Sequence, residues 1–73
     1  MNRLDIKNQL GAKIAYLRKH KRFSQERLAE KSDISAIYIG EIERGDANPT
    51  LDKLKAIANA LDVELGELFN FSF

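Results

Sequence analysis

Residues 24–45 read SQERLAEKSDISAIYIGEIERG, and the reading of this stretch decides the fold. Ser24 suits an N-cap, because its hydroxyl can accept from a free amide of the first helical turn. The next segment, QERLAEK, turns Leu28 and Ala29 inward and forms a short helix. SDIS then interrupts the pattern: Asp33 tolerates a left-handed backbone, and Ser35 can cap a further helix. That helix carries Ile39 and Ile42 on one face and stops at Gly45, a natural C-cap.

Working outward, Ile6, Leu10, Ile14 and Leu17 recur at the spacing of one helical face, so a first helix precedes Ser24. It ends near KHKRF, where Phe23 returns to the core. On the other side, DANPT is a loop. Pro49 forbids helix at Asn48, and Thr50 caps a fourth helix. In that helix LDKLKAIANAL places Leu51, Leu54, Ile57, Ala58 and Leu61 on one stripe. ELGELF predicts a short fifth helix with Leu65, Leu68 and Phe69 turned to a surface. Nothing alternates with period two. The expectation is an all-α single domain of five short helices over residues 1–73.

With 73 residues there is room for one core, and such a domain buries only about 60% of its unfolded surface. Cysteine is absent, which removes disulfides and thiolate metal sites and fits a reducing cytoplasm. The one histidine, His20, has no second ligand candidate, so no metal and no cofactor is expected. No apolar run approaches the roughly 20 residues of a membrane span, and the N-terminus lacks a signal-peptide apolar region. The formal net charge of +1 conceals a segregation. Residues 1–31 hold nine Lys/Arg against three Asp/Glu, net +6, and residues 32–73 hold three against eight, net −5. A basic end of this kind fits nucleic acid, an acidic partner or an ordinary solvated face.

Two short helices joined by a tight turn, the second closed by glycine, have helix-turn-helix geometry over about residues 24–45. Its tightly packed places fall on Leu28, Ala29, Ile34, Ile39 and Ile42, with a small Ala29 letting the helices cross closely. LRKHKRFSQERLAEKSDIS and YIGEIERGDANPTLDKLKAIANALDVELGELF together resemble the Cro/phage-repressor (XRE) family of helix-turn-helix DNA-binding proteins. The resemblance runs from about Leu10 to Phe69. YIGEIERG is especially similar to the small stand-alone regulators of restriction–modification operons.

The resemblance implies roles residue by residue. Ser24, Gln25, Arg44 and Asn48 match positions that contact DNA phosphate, and a helix N-terminus at Gln25 favours an anion. Ser35, Ala36, Ile37, Tyr38 and Glu41 match the face that enters the major groove. Arg18 and Glu43 match an ion pair linking the first and third helices. Each has a plainer reading: Ser24 and Gln25 as helix-start residues, Arg44 as a partner of the helix dipole. The sequence departs from the family at the reading face, where Ala36 and Ala47 stand in places that related regulators often fill with Arg or Gln at the first and Arg at the second. Residues 33–46 carry Asp33, Glu41, Glu43 and Asp46 against Arg44 alone, net −3. Ala36 and Ile37 suit thymine methyl groups, and Glu41 can accept from a cytosine amino group.

At the C-terminal end, FNFSF adds Phe71 and Phe73 to Leu65, Leu68 and Phe69. The resemblance implies a homodimer through about residues 60–73, and plain core closure is the other reading. A dimer would set two recognition helices about 34–36 Å apart on a palindromic operator in double-stranded DNA. No nucleophile–base pair, metal cluster or phosphate-binding glycine loop is present, so neither enzymatic activity nor a small-molecule ligand is expected. The leading expectation is a sequence-specific transcriptional regulator. The alternative is a protein-interaction module, antitoxin- or antirepressor-like, whose acidic third helix binds another protein.

Overall fold

A computed structural model describes residues 5–72, and within them the chain is helical throughout its regular structure. Four α-helices follow one another: α1 (Ile6–His20), α2 (Gln25–Ser32), α3 (Ala36–Arg44) and α4 (Leu51–Ala60). A 3-10 helix, Leu65–Phe69, comes next. The expected fifth α-helix is thus corrected to a 3-10 turn. Glu64 supplies no capping bond, and five residues containing Gly66 form too short a run to recover the cost of α-helical nucleation.

Each α-helix begins at a side-chain cap that accepts a backbone amide. Asp5 accepts from Lys7, Ser24 from Arg27, Ser35 from Tyr38 and Thr50 from Lys53, at 2.8–3.2 Å. The helices end as locally. Asp33 closes α2 in the left-handed region at φ 58°, and Gly45 closes α3 at φ 79°. Arg18, Lys19 and His20 fill the last turn of α1, where cations meet the negative end of the helix dipole.

Ile14, Leu28, Ile39, Ile57, Leu61 and Leu68 are the largest fully buried side chains, drawn from all four α-helices, the residue after α4, and the 3-10 helix. α1 packs against α3 and the 3-10 helix, and α2 packs against α3 and α4. The α1–α3 crossing is close because α1 presents Gly11 there. A Cβ at Gly11 would press into the carbonyl oxygen of Ile42 and lie 2.7 Å from that of Glu43. Lys13 is buried beside this crossing, its Nζ 3.0 Å from Glu67 Oε2, tying α1 to the 3-10 helix.

Two apolar positions depart from the sequence pattern. Leu51, placed on the inner stripe of α4, is 69% exposed, and Ile6 of α1 is 57% exposed. Both occupy the first position of their helix, ahead of the turn that meets the core. Among the described residues, no helix is long and apolar enough to cross a membrane.

Candidate nucleic-acid interface

α2 and α3 stand on a frame of charge. Arg18, from the last turn of α1, donates from Nε to Glu43 Oε2 at 2.7 Å and from Nη2 to Glu43 Oε1 at 3.0 Å. Its Nη1 donates to the backbone oxygen of Phe23 at 2.7 Å. The two side chains are only 11% and 7% exposed, so this is a buried, two-pronged pair. Removing one partner would strand the other charge, at a cost of about 3–5 kcal/mol. Gln25 joins the same carboxylate, with Nε2 donating to Glu43 Oε1 at 3.0 Å. Glu43 therefore connects α1, the α1–α2 turn, α2 and α3.

Above this frame lies an open hollow of about 280 Å³, lined by Gln25, Glu26, Ala36, Ile37, Gly40 and Arg44. Its walls are the first turn of α2 and one face of α3. Four of the residues singled out from sequence, Gln25, Ala36, Ile37 and Arg44, thus meet around one depression. Ile37 is 78% exposed, the most exposed large apolar residue described. Arg44 is also exposed, and its Nε lies 3.2 Å from Asp46 Oδ2. Gly40 carries no side chain into the hollow, which leaves room for the amide of Gln25 and the guanidinium of Arg44.

The remaining candidates are placed differently. Ser24 and Ser35 are exposed, and each hydroxyl accepts a backbone amide of its own helix. Tyr38 is half-buried against the core, with Lys53 Nζ 5.7 Å from its ring centroid. Glu41 is half-buried and enters no ion pair among the described residues. Asn48 does not line the α2–α3 hollow. It borders a second one, with Ile6, Lys7, Leu10, Pro49, Leu54 and Phe69.

Of the residues assigned to a dimer contact, Leu68 is fully buried in the chain's own core and has no surface to offer a partner, so it is removed from that set. Leu65 and Phe71 are half-buried, and Phe69 is 38% exposed. Phe73 lies outside the described residues.

Sequence reasoning missed Glu26, Gly40 and the Arg44–Asp46 pair. Glu26 could have been found from its place beside Gln25 in the first turn of α2, since adjacent first-turn residues share the helix's exposed end. The acidity counted along residues 33–46 also changes in three dimensions. Arg18 neutralises Glu43 from a different helix, and Asp46 faces Arg44. Among the described residues, no group of acidic or histidine side chains could hold a metal ion.

A helix-turn-helix family model (HTH_3) matches residues 14–68. Control protein C.BamHI of Bacillus amyloliquefaciens is 38% identical over 69 residues, spanning 93% of this chain and 85% of its own length. The immunity repressor protein of Bacillus phage phi105 is 37% identical over 59 residues, 81% of this chain, but the match spans only 41% of that repressor. Among solved structures, the restriction–modification controller protein C.AhdI from Aeromonas hydrophila superposes with a TM-score of 0.86 at 40% identity. The alignment covers 86% of this chain and 96% of that one.

Proposed function

This chain belongs to the helix-turn-helix family of DNA-binding transcriptional regulators, and we propose that it acts as a homodimer on a palindromic operator. In this reading residues 1–73 work as one domain, with residues 24–45 reading DNA and residues 60–73 contributing to the dimer contact. The similarity to control proteins of restriction–modification systems makes an operon of that kind the favoured site of action.

The observation that carries the reading is the hollow between α2 and α3, where a helix N-terminus, Gln25, Arg44 and an outward Ile37 converge on one braced surface. A phosphate fits the α2 end, because the free amides of a first turn and the helix dipole both favour an anion. Ser24 and Gln25 take that phosphate, Arg44 a neighbouring one, and Asn48 a third from the middle of the DANPT loop. α3 then lies in the major groove, with Ser35, Ala36, Ile37, Tyr38 and Glu41 toward the bases. Ile37 and Ala36 suit thymine methyls, and Glu41 suits a cytosine amino group. The twofold contact draws on Leu65, Phe69, Phe71 and Phe73. Exposed Ile6 and Leu51 supply further apolar surface that a second copy would cover.

Titration of DNA fragments from upstream of its own reading frame, at several salt concentrations, tests the reading. With about four to six phosphates neutralised per subunit, log K should fall steeply with log salt, by roughly 0.9 per phosphate. Gln25→Ala and Arg44→Ala should each weaken binding to every fragment. If all fragments bind more weakly than about millimolar, below ordinary non-specific affinity, the regulator reading fails. Capture of a protein ligand by the Ile37–Glu41 face in place of DNA would support the interaction-module alternative.

A further inference from the structure

The buried Arg18–Glu43 pair does more than join helices, because Glu43 shares one oxygen between Arg18 and Gln25. Glu43 Oε1 receives Arg18 Nη2 and Gln25 Nε2, both at 3.0 Å. An ionised carboxylate can only accept hydrogen bonds, so the atom of Gln25 that faces it has to be the amide nitrogen. That settles the polarity of the amide, which a glutamine at a solvent edge would otherwise leave free to flip. The nitrogen has a second N–H, and planar amide geometry directs it away from the carboxylate. The other face of the amide lies along Gly40: Oε1 and Nε2 are 3.5 and 3.8 Å from where a Cβ would stand. These are ordinary van der Waals distances, so the amide holds this pose without crowding from α3.

We propose that Glu43 is a positioning residue for DNA binding: it locks the Gln25 amide with a donor toward the phosphate, while Arg18 cancels the charge that would repel that phosphate. A phosphate oxygen, like a carboxylate, only accepts. A flipped Gln25 would turn its carbonyl oxygen toward the phosphate and weaken the contact. Arg18 is held in place at its other end by the Phe23 carbonyl, so the order of constraint runs from the α1–α2 turn through Arg18 and Glu43 to Gln25. This rests on the phosphate role of Gln25 proposed above.

The test is a double-mutant cycle on affinity for a short duplex from upstream of the reading frame, at conditions where far-ultraviolet circular dichroism shows every variant folded. Gln25→Ala should weaken binding about tenfold, the worth of one hydrogen bond to a charged group. Glu43→Gln should weaken binding comparably in the Gln25 background, yet by less than about twofold on top of Gln25→Ala. A penalty from Glu43→Gln that adds in full to the Gln25→Ala variant would mean a purely structural strut and would overturn the proposal. If Gln25→Ala has no effect while the chain still binds DNA, the proposal falls and the regulator reading stands; a wild-type chain that binds no DNA defeats both.

Should Glu43→Gln not fold, nuclear magnetic resonance of the wild-type Gln25 side-chain amide decides. One N–H should be shifted and slowed in exchange in the free protein, and the second should join it on adding duplex. Two freely exchanging protons that ignore DNA would overturn the assignment.

Discussion

Replacing Gly11 by alanine adds one methyl group where α1 crosses the end of α3, and two opposing effects decide its sign. Alanine is the better helix former, by about 1 kcal/mol in a helix interior, so an open site would gain stability. The crossing is not open. The new Cβ would press into the carbonyl oxygen of Ile42 and approach that of Glu43 to 2.7 Å. These are backbone atoms, and the Ile42 oxygen also accepts the Gly45 amide that closes α3. No side chain can swing away to relieve the contact. Relief requires α1 to slide from α3, which loosens packing around Ile14 and Ile42 and lengthens the Arg18–Glu43 bonds. Overpacking costs about 1–3 kcal/mol and more where backbone has to move, so the propensity gain is outweighed. A net loss of about 2 kcal/mol is expected, against a total stability of roughly 4–11 kcal/mol for a chain of this length. Urea denaturation followed by far-ultraviolet circular dichroism would show a lower midpoint at unchanged slope. Thermal unfolding should fall by roughly 8–16 °C. A Gly11→Ala variant as stable as the parent, or more so, would refute the close crossing.

Gly40 provides the opposite case. Its nearest foreign atom is Arg44 Nη1, 3.3 Å from the built Cβ and at the far end of a flexible side chain, so Gly40→Ala should stabilise by about 0.5–1 kcal/mol in the same denaturation experiment. Loss of stability there would show that the hollow is less accommodating than its geometry implies. Asp46 holds Arg44 through an exposed pair worth at most about 1 kcal/mol, so Asp46→Asn should tighten duplex binding about two- to fivefold by freeing Arg44 for phosphate. Fluorescence anisotropy in parent and Arg44→Ala backgrounds checks this, since an equal gain in both would mean that Asp46 does not act through Arg44. Ile37 against a thymine methyl predicts that uracil in place of that thymine costs roughly fourfold in affinity, and that Ile37→Ala abolishes the difference. A uracil penalty that persists in Ile37→Ala assigns the methyl contact to another residue.

Much of the fold was legible because its signals are local. Ser24, Ser35 and Thr50 each cap through a hydroxyl that reaches an amide three residues on, and Gly45 and Asp33 close helices through their own backbone angles. The inner faces of α2 and α3 followed from spacing for the same reason. The weaker readings lay where a residue's fate depends on a distant segment. Leu51 and Ile6 fit an apolar stripe by spacing but stand at helix starts beyond the reach of the core, whereas Leu68 is consumed by it. Period alone says which residues share a face, and it does not say how much of that face another element covers.

The sequence by itself therefore determined an all-α chain with a helix-turn-helix at residues 24–45, because caps, breakers and periodicity act within a few residues of backbone. Only the tertiary structure decided what the charged and small residues do. Arg18 meets Glu43 across 25 residues of chain, Gln25 meets it across 18, and Lys13 meets Glu67 across 54. Gly11 gains its purpose only because the carbonyls of Ile42 and Glu43 come to rest against it. Such contacts exist after the helices have packed, and the distances that govern them are set by the packing of the core.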